Sequence, residues 1–178
     1  NPTAMMKTIL LSFLFCAIIV SPSLAQEENK YAKDTESIDA IIAALYGVIS
    51  GEKGVERDWD RFRALMIPEA KLIPSAKNQE GKVGYRIHTV EEYIKGANPY
   101  FIENGFFESE LHRVTEQFGS VVHIFSTYQS KRSESDAEPF SRGINSIQLM
   151  HDGERWWILN IYWTAETEEN PIPAKYLP

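Results

Sequence analysis

"RGINSIQLMHDGERWWILNIYW", residues 142–163, is the stretch on which the fold turns. Asp152-Gly153 is the strongest short hairpin signal in the chain, and the runs 144–150 and 156–165 on either side are apolar and β-rich. A two-residue turn pairs His151 with Glu154. It places Asn145 opposite Asn160, on the face of Ile147, Leu149, Trp156, Ile158 and Tyr162. A three-residue turn with a glycine bulge slips the register by one and brings Arg142, Ser146 and Gln148 beside Trp156, Asn160 and Tyr162. Under either register Trp156, Ile158, Asn160 and Tyr162 share one face, and Trp157, Leu159, Ile161 and Trp163 share the other. Both faces are apolar enough to be buried, one against an interior and one in a homodimer, because a large aromatic sheet face is seldom left in water.

Upstream, residues 106–117 and 121–130 are two more β-rich runs joined at Phe118-Gly119-Ser120, which reads as a tight hairpin. Residues 131–140, with charges and Pro139, form a surface loop. Before Gly105 the period is helical. Ile38, Ile41, Ile42, Leu45, Val48 and Ile49 form the apolar face of a first helix, with Asp34 or Thr35 as N-cap and Gly51 beyond its end. A second helix, about 55–66, carries Val55, Trp59, Phe62 and Met66 and stops at Pro68. A short strand is expected at 70–73, then a polar loop over 75–88 with two glycines. Thr89-Val90-Glu91-Glu92 spells a capping box, which opens a short third helix bearing Val90, Tyr93, Ile94 and Ala97. The expected order is helix, helix, strand, helix and then four antiparallel strands.

Residues 1–25 have the pattern of an export signal: Met5-Met6-Lys7, an apolar run over 8–20, and small residues before Gln26. The apolar run is shorter than the roughly twenty residues a spanning helix needs, so an exported protein, periplasmic or secreted, without stable membrane association is expected. Asn1 to Ala4 precede the pattern's start. The domain then covers 34–165, after a polar lead-in at 26–33, and 166–178 form an extended C-terminal tail. Beyond the signal, 17 basic residues face 25 acidic ones. Interspersed charges without a basic block argue against nucleic acid as a partner. The only cysteine, Cys16, lies inside the signal, so neither a disulfide nor a thiolate site is expected in the mature chain. Scattered histidines without close spacing give no metal site, and no cofactor motif is present.

"DWDRFRALMIPEAKLI" (58–73), "GFFESELHR" (105–113), "HIFSTY" (123–128) and the final hairpin together resemble the nuclear transport factor two-like superfamily, which includes ketosteroid isomerase, scytalone dehydratase and SnoaL-type cyclases. The resemblance implies an α+β cone, a curved antiparallel sheet wrapped around three N-terminal helices, with a cavity on its concave face. Candidates for the cavity are Tyr46, Trp59, His112, His123, Ser126, Tyr128, Arg142, Asn145, Trp156, Asn160 and Tyr162. Asn160 and Tyr162 are singled out because polar groups beside tryptophan in a closed interior must find partners or bind something. Glu108, Glu110, His112 and Glu116 read together as a solvated face. A ketosteroid isomerase-like site would need an acid after the first strand, where "LIPSAK" (72–77) has none. The functional expectation is a small, largely apolar molecule with a polar head, bound in the cone, with an isomerase-, dehydratase- or cyclase-like activity left unidentified. The alternative is a non-catalytic dimerisation or interaction module whose cone is filled by its own side chains.

Overall fold

A computed structural model describes residues 30–178; the expected export signal and the first half of the lead-in, 26–29, lie outside the described residues. Three helices, α1 (Ile38–Ile49), α2 (Trp59–Ala64) and α3 (Val90–Asn104), pack on a six-stranded sheet. The strands are β1 (Met66–Lys77), β2 (Val83–Tyr85), β3 (Phe107–Phe118), β4 (Val121–Lys131), β5 (Ser141–His151) and β6 (Trp156–Ala165). Their order across the sheet is β2-β1-β6-β5-β4-β3. The sheet is curved and unclosed, and the α+β cone expected from the sequence is present. It is mixed rather than wholly antiparallel, because β1 runs parallel to β6. The core lies between the concave face and the helices, with Ile41, Ile42, Phe62, Leu65, Ile124, Ile147, Leu149 and Ile158 fully buried.

Several boundaries move for local reasons. Asp34 and Thr35 do not cap α1, since Asp34 is held in a bidentate pair by Arg61 and the Thr35 hydroxyl donates to the carbonyl of Ala32. Ser37 caps instead, accepting from the amide of Ala40. The second helix is shorter than expected, begins at the cap Asp58 and ends before Leu65; Val55 stays 51% exposed and Met66 already pairs with Ile158. Pro68 falls in the irregular stretch of β1 between Met66 and Lys71, where the ladder is interrupted and a missing N–H costs nothing. The expected short strand at 70–73 is thus the middle of a twelve-residue one. Within the polar loop, Val83–Tyr85 pairs back onto the end of β1. The Thr89 capping box is present in both directions, but α3 runs fifteen residues, through Pro99.

Two bulges decide which side chains meet. In β6 the register shifts between Leu149/Ile158 and Gln148/Asn160, so Ile158 faces the core while Asn160, two residues on, does not. A four-residue loop joins the strands: His151 pairs with Trp156, and the amide of Asp152 donates to the carbonyl of Arg155. Both two- and three-residue turns are therefore replaced, and the single face expected for Trp156, Ile158, Asn160 and Tyr162 is split. Ile161 and Trp163 turn inward, packing on the helices, so the stripe that motivated a sheet-to-sheet homodimer is divided between the two faces. In β3 the shift falls between Glu110 and His112. Glu108 and Glu110 lie opposite Ser130 and Tyr128 on the concave side, while His112 lies opposite Thr127 on the convex side. The C-terminal tail covers part of that convex face: Tyr176 packs on Phe125 at 4.9 Å and its carbonyl accepts from the Thr127 hydroxyl.

Candidate functional site

Between α3 and the concave sheet lies a cavity of about 350 Å³. Phe62 from α2, Tyr93 and Phe101 from α3, Phe106 at the start of the sheet, and Ile161 and Trp163 from β6 form its apolar wall. The mouth carries Glu92, Gly96 and Tyr100, one helical turn apart along α3, with His88 beside them. His88 is placed there by a bridge to Leu72. The rings are fixed by each other: Tyr93 meets Phe62 at 5.5 Å and Trp163 edge-on at 6.2 Å, and Phe101 stacks on Phe106 at 4.3 Å.

Glu108 and Asn145 are the polar groups at the base. Oε2 of Glu108 accepts from the Ser130 hydroxyl at 3.0 Å, and Oε1 lies 3.4 Å from the amide nitrogen of Asn145. The backbone amide of Glu108 donates to the Ser50 hydroxyl, which ties the strand to the end of α1. Although the cavity leaves Glu108 half-exposed, protein surrounds it closely. This desolvation pushes its carboxyl up to about 7, against which the bonds from Ser130 and Asn145 act only partly. The same burial, together with the Glu108 charge, raises the phenols of Tyr46, Tyr93 and Tyr128 well above their ordinary value. Behind the base, the Tyr46 hydroxyl meets Ser126 Oγ at 2.7 Å, and Ser126 donates to Glu110. Glu110 is in turn bound by Arg113, which also reaches Asp39 on α1. An uncompensated carboxyl group that exchanges a proton near neutrality, at the closed end of an apolar chamber, can bind a cation, donate a hydrogen bond or move a proton.

Of the residues expected in the cavity, Asn145 lines it, with Tyr46 and Ser126 directly behind. Tyr128 is buried against Gly143. Trp59 is a core residue, stacked on Phe101 and donating from its indole to Asn98. The others do not enter the chamber. Arg142 pairs with Glu166, and His123 bonds Ser146 at 3.0 Å on the convex face. His112 is turned to that face by the β3 bulge, Asn160 lies opposite Gln148, and Tyr162 is 45% exposed opposite Ser146. Trp156 packs against His151 at the hairpin end, 4.8 Å between rings. Glu108, Tyr93, His88, Ile161 and Trp163 are the cavity residues that strand alternation misplaces or leaves out. "GFFESELHR" contains Glu108 beside two phenylalanines, but only the bulge after Glu110 shows that its face is interior.

Among the described residues no helix is long and apolar enough to cross a membrane, and no cluster of three or more His, Cys, Asp or Glu could hold a metal ion. No protein-family profile and no curated protein matches the chain. Solved structures do. The chain is similar to a protein of unknown function with a cystatin-like fold from Nostoc punctiforme, with TM-score 0.55 and 10% identity over 74% of this chain and 90% of that one. It is similar to a provisionally named calcium/calmodulin-dependent protein kinase II association domain from Xanthomonas campestris, with TM-score 0.54 and 13% identity over 74% and 86%. A provisionally named ketosteroid isomerase from Parabacteroides distasonis gives TM-score 0.52 and 9% identity over 77% and 98%. At such identities the likeness is one of fold alone, in line with the nuclear transport factor two-like cone that the sequence resembles.

Proposed function

We propose that the cone binds a small, largely apolar molecule whose polar head meets Glu108 and Asn145. The open chamber of about 350 Å³, with an aromatic wall and a few convergent polar groups at one end, is the observation that carries this reading. It also favours binding over an interaction module with a filled cone. If the molecule is a substrate, Glu108 is the group to move its proton, because its carboxyl titrates near neutral pH. Export through residues 1–25 belongs to the same proposal.

Gly96 offers the test. A Cβ built there meets nothing within 4 Å, so Gly96→Phe puts a ring at the mouth without forcing the backbone. The neutral fluorescent probe N-phenyl-1-naphthylamine is expected to brighten with the wild type and not with Gly96→Phe, while the variant keeps its melting temperature. Failure of the wild type to take up the probe, or equal uptake by the variant, rejects the reading.

A further inference from the structure

We infer that the molecule held in the cone is cationic: a protonated amine on an apolar, aromatic-sized body, with its ammonium against Glu108. This rests on the binding function proposed above and narrows it. The cavity wall contains two carboxylates, Glu108 at the base and Glu92 at the mouth, and neither lysine nor arginine. Among the described residues, His88 at the mouth is the one wall residue able to carry positive charge. A buried carboxylate is normally matched by a cation, as Arg113 matches Glu110 one pleat away. Among the described residues the Glu108 carboxylate is met by two neutral donors, Ser130 and Asn145. The groups facing it from the other elements are the phenols of Tyr46 on α1, Tyr93 on α3 and Tyr128 on β4. Arg132 does not line the chamber; its guanidinium lies over the rings of Tyr100 and Phe140. Among the described residues the wall holds no counter-charge for Glu108, and the ligand supplies it.

The rest of the chamber suits such a guest. Tyr93, Phe101, Phe106 and Trp163 line the chamber, and a desolvated ammonium gains from aromatic neighbours as well as from the carboxylate. Glu92 at the exposed mouth adds negative potential on the approach path. An anionic guest would meet the Glu108 carboxylate at the base without a cation to offset it.

Three indoles of matched size separate the cases: tryptamine, its neutral alcohol tryptophol, and indole-3-acetate. By calorimetry on the full chain at pH 8, tryptamine is expected to bind at least about tenfold more tightly than tryptophol, with indole-3-acetate weakest. Glu108→Gln should erase that preference, so that on the variant tryptamine and tryptophol bind with the same affinity. A readout on the wild type guards against a variant that fails to fold. At pH 6 the free Glu108 carboxyl is mostly protonated, so tryptamine binding must expel a proton, seen as a dependence of the heat on buffer ionisation enthalpy, and tryptophol binding must not. Equal affinity for tryptamine and tryptophol, a preference that survives Glu108→Gln, no proton release at pH 6, or no binding of any of the three overturns the inference. The Gly96→Phe experiment with the neutral probe decides the broader binding reading independently.

Discussion

The amide nitrogen of Asn145 on β5 lies 3.1 Å from the Tyr46 hydroxyl on α1 and 3.4 Å from Oε1 of Glu108 on β3. Asn145 can only donate through that nitrogen, so the Tyr46 hydroxyl accepts and its proton points to Ser126, which donates to Glu110. One directed chain thus ties the helix layer to three strands, β5, β4 and β3, beneath the cavity. Tyr46→Phe should cost about 1–2 kcal/mol by leaving a buried donor unmet, and Asn145→Ala a similar amount. In a double-mutant cycle the two losses should fall short of additive by about 0.5 kcal/mol or more. Urea unfolding of the four proteins measures it.

Glu108 makes stability depend on pH in an unusual direction for a carboxylate. Its folded value of about 7 lies above the ordinary 4.5, so the folded chain holds the proton over a range where the unfolded chain has lost it. Stability from this group is fully present below about 4.5 and is lost as pH rises through 7. Glu108→Gln should remove that slope. At pH 8 the variant should gain about 1–2 kcal/mol on the wild type relative to pH 5, less than the full shift converts to because solvent in the cavity screens the charge. Chemical unfolding at the two pH values gives the difference.

Two glycines should respond in opposite ways to alanine. At Gly143 a Cβ would come within 2.4 Å of the carbonyl oxygen of Thr164 and 2.5 Å of the Tyr128 hydroxyl. Backbone cannot yield cheaply there, and Gly143→Ala should cost about 2 kcal/mol or more. Gly96 lies within α3 with open space around its Cβ position, so Gly96→Ala should stabilise by about 0.5–1 kcal/mol. Thermal unfolding reads both signs.

Asn160→Leu should leave uptake of N-phenyl-1-naphthylamine unchanged. Asn160 follows the β6 bulge and lies opposite Gln148, outside the cavity wall. Asn145→Leu, at the base, should instead alter probe binding. A fluorescence titration of both variants separates the two strand faces, and a loss confined to Asn160→Leu would refute the placement.

Local chemistry was legible where local chemistry decides. The Thr89 capping box, the apolar face of α1, the β3–β4 turn at Gly119 and the existence of the last two strands follow from side chains that act on their own neighbours in sequence. So did the cone, whose order of helices and strands is a property of the pattern as a whole. Tyr46, Ser126 and Asn145 could be nominated because each is a polar group among apolar ones. What the tertiary structure alone decided is which side of each strand is inside. A strand's side chains alternate strictly until one extra residue is inserted, and then every later residue changes face. That happens twice here, after Glu110 in β3 and after Ile158 in β6. The first bulge separates Glu108 from His112, and the second separates Asn160 and Tyr162 from Ile158 while turning Trp163 inward. A bulge is set by how neighbouring strands and the helices above them fit together, and no single stretch of residues encodes that fit. Glu108 is therefore an ordinary glutamate in a charged run by sequence, and a half-buried, proton-exchanging group at the end of an apolar chamber once the sheet is folded.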